Sequence, residues 1–386
     1  MEVVFWFSLL IVLYTYIGYG FTLKICSLFR KSKTNPITEE HSHPSVAHIV
    51  ACYNEESIIE EKINNCLKLA YPKTKLNTLF VTDGSNDKTV ELVQNYQNSI
   101  THFHENDRKG KLNAVNRVIN QVESDIVVFS DANAILNKDA LIKISAAFRD
   151  PKVGAVSGEK RISLEVNDDA SSSGESFYWK YESTLKQLES KVNTVIGAAG
   201  ELFAIRKNLY VSPPSNSLIE DFITSVNVAK SGYRVAYEPE AYAVEKGSES
   251  LEEELKRKVR ISAGGIQSII HFKGLLNPIK YGMLSFQYIS HRVMRWTIAP
   301  ISLVALFLSN IFLADKSTFY FILIICQVCF YSAAILGGLM KRKKIKFRLF
   351  FVPFYFSFMN FSVFMGLVKY LKGDYEVVWE KAKRKE

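Results

Sequence analysis

The hydrophobic and polar positions divide the chain into two apolar ends and a mixed middle. Val3–Leu23 carries no charged side chain, and three more apolar runs lie near the other end: Trp296–Ala314, Ser317–Met340 and Leu349–Val368. A helix of about 20 apolar residues spans a hydrocarbon core of roughly 30 Å. The pattern therefore predicts an amino-terminal transmembrane anchor over residues 1–29 and a carboxyl-terminal transmembrane region over residues 297–369 with two to three spans.

The flanks of these runs predict the orientation. Glu2 precedes the first run where a signal peptide would have a basic residue, so we expect an uncleaved anchor. Basic residues after the first run and at residues 341–344 are typical of cytoplasmic flanks. We therefore expect an integral protein of a bacterial-type inner or plasma membrane, with residues 30–295 in the cytoplasm. A crossing by the fourth run would place the basic tail (370–386) outside, and Pro353 and Asn360 weaken that run as a plain span. Whether it spans, re-enters or lies in the interface stays open.

Residues 280–296 mix apolar and basic positions. Met283, Phe286 and Ile289 recur at helical spacing, and Arg292 and Arg295 follow among them. A basic amphipathic helix of this kind lies in the headgroup plane, whereas a plain core-facing helix is the alternative. Its position directly before an apolar run favours an interfacial helix in contact with membrane lipid.

Residues 45–273 alternate short β-branched runs with amphipathic ones. Strands are predicted at Val46–Cys52, Leu76–Thr82, Ile100–His104 and Asp125–Ser130. Helices are predicted at Glu55–Leu69, Lys88–Tyr96, Lys111–Val122, Glu175–Val192, Ser217–Lys230 and Leu251–Ile270, and Thr194–Ile205 is read as a hairpin or a loop near a site. The alternation predicts an α/β domain with a Rossmann-like, mainly parallel sheet.

Polar clusters follow three of these strands, at residues 53–55, 83–87 and 131–133. Ligands of parallel α/β sheets bind at the carboxyl ends of the strands. Asp131 and Asn133 could hold a divalent metal that neutralises phosphate, although their spacing alone favours a simple turn. Lys109 and Lys111 lack the glycine and hydroxyl positions of a P-loop. They could still neutralise a diphosphate or merely begin a solvated helix.

Composition narrows the classes further. A chain that is 48% hydrophobic is not disordered, and five cysteines in 386 residues exclude a disulfide scaffold. The net charge of +9 comes largely from residues beside the apolar runs, where anionic lipid attracts it, so we expect no nucleic-acid partner.

Five short motifs follow one another in the mixed middle of the chain. They are Ala51-Cys-Tyr-Asn-Glu55, Val81-Thr-Asp-Gly-Ser-Asn-Asp-Lys-Thr89, Lys109-Gly-Lys-Leu-Asn-Ala-Val-Asn116, Ser130-Asp-Ala-Asn133 and Ile219-Glu-Asp221. These motifs stand in the order found in family 2 glycosyltransferases. The chain resembles the membrane-embedded branch of that family, which includes hyaluronan, cellulose and poly-N-acetylglucosamine synthases. The similarity covers roughly residues 45–270.

The resemblance implies a GT-A fold, inverting transfer from a nucleotide sugar with uridine diphosphate as carrier, and a Mg²⁺ or Mn²⁺ cofactor. It assigns Asp221 as the general base, and Asp131 with Asn133 to the metal, Asn133 standing where the family often has a second Asp. The remaining implied positions are donor-binding Tyr53, Glu55, Asp83, Lys111, Asp131 and Arg260, and acceptor-side Gly200, Glu201 and Glu220.

The stretch that matches the Gln-x-x-Arg-Trp motif of processive synthases is Arg257-Lys-Val-Arg260-Ile261. It keeps Arg260, which could bind diphosphate or form surface salt bridges, and it lacks the tryptophan. Three hypotheses stay open: extension of a polysaccharide, a single transfer to a lipid or polyprenyl-phosphate acceptor, and a non-catalytic scaffold that binds nucleotide sugar. The sequence does not indicate a partner subunit.

Overall fold

The computed structural model describes residues 1–30, 43–163, 170–247, 250–342 and 348–373. They form two compact units. The sheet unit comprises the described residues 43–163 and 186–247, and the helical unit comprises residues 1–29, 170–185, 250–342 and 348–373. The basic tail at residues 374–386 lies outside the described residues.

Eight strands form one mixed sheet in the order β3-β2-β1-β4-β7-β6-β8-β5. Parallel pairing joins β1 to β2 and β4, β2 to β3, and β6 to β8, while β7 runs antiparallel to β4 and β6. The strands are β1 (Val46–Cys52), β2 (Leu76–Asp83), β3 (Thr101–Glu105), β4 (Ile126–Asp131), β5 (Ile135–Leu136), β6 (Val153–Ile162), β7 (Phe203–Arg206) and β8 (Arg234–Glu245).

Along the chain, the helices of the sheet unit alternate with its strands. They are α3 (Ile59–Leu67), α4 (Thr89–Gln94), α5 (Lys111–Ile119), α6 (Ala140–Ala147) and α8 (Glu220–Lys230), while α7 (Ala170–Val192) contributes to both units. The helices of the helical unit are α1 (Glu2–Leu13), α2 (Tyr19–Leu28), α9 (Leu251–His271), α10 (Pro278–Tyr281), α11 (Met283–Tyr288), α12 (Met294–Trp296), α13 (Ile298–Ile311), α14 (Thr318–Arg342) and α15 (Arg348–Lys372).

The four predicted strands are present, each within one residue of its predicted ends. Of the two alternatives predicted for Thr194–Ile205, the structure has the loop: residues 194–202 form a loop that leads into the single strand β7. Helix α3 packs on the sheet because Ile59 and Ile63 bury their side chains against Val50 and Phe80. The parallel run β2-β1-β4 brings the residues after its three carboxyl ends to one edge of the sheet.

Three helical segments of the helical unit are long and apolar enough to cross a membrane: Glu2–Leu28, Thr318–Met340 and Phe350–Lys372. The run Trp296–Ala314 is different from the plain span that we predicted. Helix α13 has only 14 residues, about 21 Å of rise, and it bends by 53° from the preceding Met283–Trp296 segment. That bent pair is a broken span or a re-entrant loop.

The fourth apolar run forms the continuous helix α15, which contains Pro353. Its polar residue Asn360 is satisfied, because the Tyr16 hydroxyl donates to Oδ1 at 2.6 Å and Nδ2 donates to the Phe356 carbonyl at 2.9 Å. Neither Pro353 nor Asn360 interrupts the helix, so the two residues give no reason to exclude a span. The route of α15 through the membrane stays a prediction.

The segment at residues 280–296 is helical except at Gly282, with a π-helical turn at Ile289–Val293. Three of its basic side chains converge on one buried carboxylate, which the pattern did not indicate. His291 Nε2 and Arg292 lie 3.4 and 3.5 Å from Glu182, and Arg295 forms a closer ion pair with it. The placement of this segment in the headgroup plane stays a prediction.

Candidate active site

The loops that follow β1 and β2 are hydrogen-bonded to each other. Asn54 adopts a positive φ of 53°, which Asn tolerates better than most residues. Its side chain exchanges hydrogen bonds with Asn86: Nδ2 donates to Oδ1 at 2.7 Å, and the Asn86 amide donates to Asn54 Oδ1 at 2.9 Å. The Glu55 amide donates to Thr89 Oγ1 at 2.7 Å. This network fixes Tyr53 and Glu55, both predicted donor ligands, at the sheet edge.

Asp83 is buried and anchors the loop that precedes α5. Oδ2 accepts hydrogen bonds from the amides of Lys109 and Gly110 at 2.9 and 2.6 Å, and Oδ1 accepts one from Arg117 at 2.9 Å. Glycine is required at the next position, because a Cβ at Gly84 would lie 2.5 Å from a backbone atom of the same loop. In the structure Asp83 therefore organises the loop, and its predicted contact with the donor stays a prediction.

The ring of Tyr53 is covered by a side chain that sequence reasoning missed. The guanidinium carbon of Arg108 lies 3.7 Å from the centre of the ring, in cation–π contact. A flat cation and an aromatic ring provide stacking surfaces that suit a nucleobase. Only the position of Arg108 beside the Lys109–Lys111 motif could have suggested its presence here.

Lys111 is the first residue of α5, and its side chain contacts one acid at the end of β4 and another at the start of α8. Its Nζ lies 2.5 Å from Asp131 Oδ1 and 3.8 Å from Glu220 Oε1. Burial disfavours the charged form of Lys111, but Asp131 and Glu220 outweigh burial and raise its pKa. The structure thus brings together three residues predicted from separate motifs, with Lys111 as a permanent cation between two acids.

Asp221 lies beside this group, in the first turn of α8. Its burial, reinforced by the negative charge of Glu220, raises its pKa to about 7. A Cβ added to Gly200 would lie 3.1 Å from Asp221 Oδ2 and 3.3 Å from Lys111 Nζ. The glycine therefore provides the space in which the carboxylate and the lysine lie.

A second buried cation, Lys160, was missed by sequence reasoning. Its ammonium forms an ion pair with Glu201, a predicted acceptor-side residue, and another at 2.7 Å with Glu245. Strand β6 carries the lysine and β8 carries Glu245, and the two strands run parallel. Its burial could not be inferred from the pattern, because an isolated lysine in a strand is usually solvent-exposed.

Asn133 is half-buried in the turn after β4, which a hydrogen bond from the Ala134 amide to the Asp131 carbonyl closes at 3.1 Å. The simple turn that we weighed against a metal site is therefore present, and it carries both predicted metal ligands.

Arg260 lies on α9 in the helical unit, so its role toward the diphosphate stays a prediction. Among the described residues, no group of three or more His, Cys, Asp or Glu side chains could hold a metal.

In comparisons with known proteins, residues 43–264 match a family described as "Glycosyltransferase like family 2". The chain is 30% identical over 237 residues to a poly-beta-1,6-N-acetyl-D-glucosamine synthase of Staphylococcus aureus, a match that covers 58% of this chain and 55% of the synthase. It is 26% identical over 248 residues to the corresponding synthase of Staphylococcus epidermidis, covering 61% and 58%. The chain thus spans little more than half the length of these relatives.

One solved structure is similar over nearly the whole chain. It is the mannosyltransferase PcManGT from Pyrobaculum calidifontis, in complex with GDP-Man and Mn²⁺. The TM-score is 0.73 at 21% identity, and the match covers 96% of this chain and 100% of the other. At that identity the likeness establishes the fold, which in such enzymes is the GT-A arrangement.

Proposed function

Since this chain belongs to the family 2 glycosyltransferases and has a GT-A fold, we propose that it is an inverting membrane glycosyltransferase. It moves a sugar from a nucleotide donor, with uridine diphosphate as the carrier, to a growing polysaccharide. The relation to the two poly-beta-1,6-N-acetyl-D-glucosamine synthases supports the polysaccharide acceptor.

One observation supports this proposal most strongly: Lys111 contacts Asp131 on one side and Glu220, the neighbour of Asp221, on the other. Sugar transfer needs stabilisation of a leaving diphosphate and removal of a proton from the attacking hydroxyl. Lys111 serves the first need, together with a divalent cation that Asp131 would hold, and Asp221 serves the second. A scaffold that only binds nucleotide sugar would not need a buried carboxylate whose pKa is matched to proton transfer.

In this mechanism the acceptor hydroxyl attacks the anomeric carbon from the side opposite the diphosphate. Asp221 takes the hydroxyl proton, and its raised pKa of about 7 makes it a stronger base than an exposed aspartate. Lys111 stabilises the negative charge that develops on the leaving diphosphate. Tyr53, Glu55 and Asp83 hold the base and ribose, while Gly200, Glu201 and Glu220 lie on the acceptor side.

Asp131 and Asn133 offer oxygen ligands of the kind that Mg²⁺ and Mn²⁺ prefer. Burial raises the pKa of Asp131, the Lys111 ammonium lowers it, and the nearby carboxylates of Glu245 and Glu201 raise it further. Asp131 and Asn133 would hold such a divalent cation at the end of β4. When bound, such a cation neutralises the diphosphate charge.

For the membrane we propose the domain limits and the orientation expected from the sequence. The anchor (1–29) and the carboxyl-terminal region (297–369) hold the glycosyltransferase domain (45–273) on the cytoplasmic side. The segment at 280–296 lies along the headgroups. The long apolar helices among the described residues support the membrane-spanning part of this arrangement.

A lipid or polyprenyl phosphate is the second acceptor class. The missing tryptophan at Ile261 favours it, because an aromatic platform for a growing sugar chain is absent from that position. Transfer to a lipid would leave a product with one added sugar, whereas polymer synthesis would leave a long one.

The test uses membranes that contain this protein, Mg²⁺ or Mn²⁺ and a panel of UDP and GDP sugars. Release of nucleoside diphosphate that depends on the metal and is lost in Asp221→Asn would support the transferase. The size of the labelled product then distinguishes polymer from glycolipid. No release with any donor, in membranes that still contain lipid acceptors, would contradict the proposal.

A further inference from the structure

Lys62 lies fully buried on α3, beneath the turn that follows β4. Its ammonium donates hydrogen bonds to Ser130 Oγ at 2.8 Å and to the Ala134 carbonyl at 2.5 Å. These two residues bracket the segment Asp131-Ala132-Asn133. A single side chain therefore holds both ends of the turn that carries the two predicted metal ligands.

The hydroxyl of Ser130 is held from a second direction. His48 Nε2 lies 2.8 Å from Ser130 Oγ, and the histidine is fully buried in β1. Burial and the neighbouring charge of Lys62 lower the pKa of His48 well below its usual value, so the ring is neutral. Three buried polar side chains from β1, α3 and β4 thus form one network below the turn.

A buried lysine is an expensive way to fill a protein interior, because an apolar side chain of similar size avoids the desolvation of an ammonium. Nothing about the fold requires a cation here, since the neighbouring helix positions Ile59 and Ile63 pack with apolar side chains. What the lysine adds is a pair of directed hydrogen bonds to the two ends of the turn.

We propose that Lys62 is a positioning residue that fixes the Asp131-Ala132-Asn133 turn, so that its side-chain oxygens meet the cation and the donor diphosphate. This inference rests on the proposed function. Residues that orient a metal ligand from behind typically contribute a factor of about 10–100 to metal affinity.

The direction in which the affinity for Mn²⁺ changes in Lys62→Met distinguishes a positioning role from simple electrostatics. A cation beneath Asp131 repels a second cation bound above it. If charge alone mattered, Lys62→Met would strengthen Mn²⁺ binding. If Lys62 holds the turn, the same substitution weakens it. Ser130→Ala removes the shared hydroxyl without any change of charge, and we expect it to act in the same direction as Lys62→Met.

The experiment measures Mn²⁺ binding by electron paramagnetic resonance, alone and with UDP or GDP, on the purified full chain. Thermal unfolding is recorded for each variant, so that every comparison is made on folded protein. Ile63→Val is the matched control, because it alters a fully buried neighbour on the same helix whose apolar side chain cannot donate a hydrogen bond to the turn. Asp131→Asn tests the metal ligand itself.

We expect Lys62→Met and Ser130→Ala to weaken Mn²⁺ binding about tenfold or more, while Ile63→Val stays within about twofold of the wild type. Unchanged or tighter binding in Lys62→Met, beside a clear loss in Asp131→Asn, would overturn the positioning role and leave the proposed function intact. Binding that is insensitive to Asp131→Asn as well, or that is absent from the wild type, would contradict the proposed metal site and the role of Lys62 together.

Discussion

Gly200 and Asp221 are so close that a Cβ on the glycine would lie 3.1 Å from the carboxylate oxygen Oδ2. The same Cβ would lie 3.3 Å from Lys111 Nζ. Contacts at these distances are tighter than ordinary van der Waals packing, so one of the two side chains would have to shift. The loop before β7 thus limits where the proposed base can lie.

The first prediction follows from that contact. We expect Gly200→Ala to displace Asp221 and lower kcat by about tenfold to a hundredfold, because small misplacements of catalytic groups are costly. The unfolding temperature should change little. Gly274→Ala serves as control, since a Cβ there meets no atom within 4 Å. An unchanged kcat in Gly200→Ala would show that the carboxylate position is not critical.

The second prediction concerns pH. A base must be deprotonated to act, so activity should rise with pH through the raised pKa of Asp221, about 7. Glu220 is one cause of that raised pKa, and Glu220→Gln should therefore move the acidic limb of the kcat profile to lower pH. A profile that is flat between about pH 5 and 8 in the wild type would contradict the assignment.

The third prediction has the opposite sign. Lys111 lowers the pKa of Asp221, although burial and the nearby acids outweigh it. Lys111→Met should therefore move the acidic limb to higher pH, and it should raise KM for the donor by about tenfold or more. Lys143→Met is the control, because Lys143 pairs with Glu240 at the surface. Equal pH profiles for Lys111→Met and the wild type would show that the two groups are not coupled.

The fourth prediction concerns the stability of the helical unit. Glu182 is buried and contacts Arg292, Arg295 and His291, so Glu182→Gln would leave two partly buried guanidinium groups without their counter-charge. Breaking a buried ion pair in this way costs about 3–5 kcal/mol. We expect a clear drop in the unfolding temperature in detergent. Lys256→Ala, which removes an exposed pair with Glu253, should change stability by at most about 1 kcal/mol, and an equal drop in the two variants would contradict the prediction.

The alternation of apolar runs was sufficient to predict the parallel core of the sheet. Asp131 closes β4 as expected, because a strand buried on two faces shows as a short apolar run with a polar end. Strands β6 and β8 were not predicted, since their pairing depends on residues far apart in the chain. The alternation of apolar and polar positions indicates local structure, whereas such pairing is a tertiary property.

The buried cations show the same limit within the site. Lys62 follows Glu60 and Glu61, and a run of charged residues in a helix is typical of a solvated face. Its burial becomes apparent only when Ser130 and Ala134 are placed against it. Lys160 is equally inconspicuous until Glu201 and Glu245 surround it. Motifs identified Asp131, Glu201, Asp221 and Lys111, but Lys62, Lys160 and Glu245 became apparent only in the fold.

The role of Asp221 as the base is tested most directly by comparing donor binding and turnover in Asp221→Asn with those of the wild type. Calorimetry would give the Kd for the active nucleotide sugar, and release of nucleoside diphosphate would give kcat. For Asp221→Asn we expect a Kd within about threefold of the wild-type value and a kcat that is lower by a factor of about 10²–10⁴. Turnover at the wild-type rate, or a loss of donor binding as large as the loss of turnover, would contradict the role of Asp221 as the base.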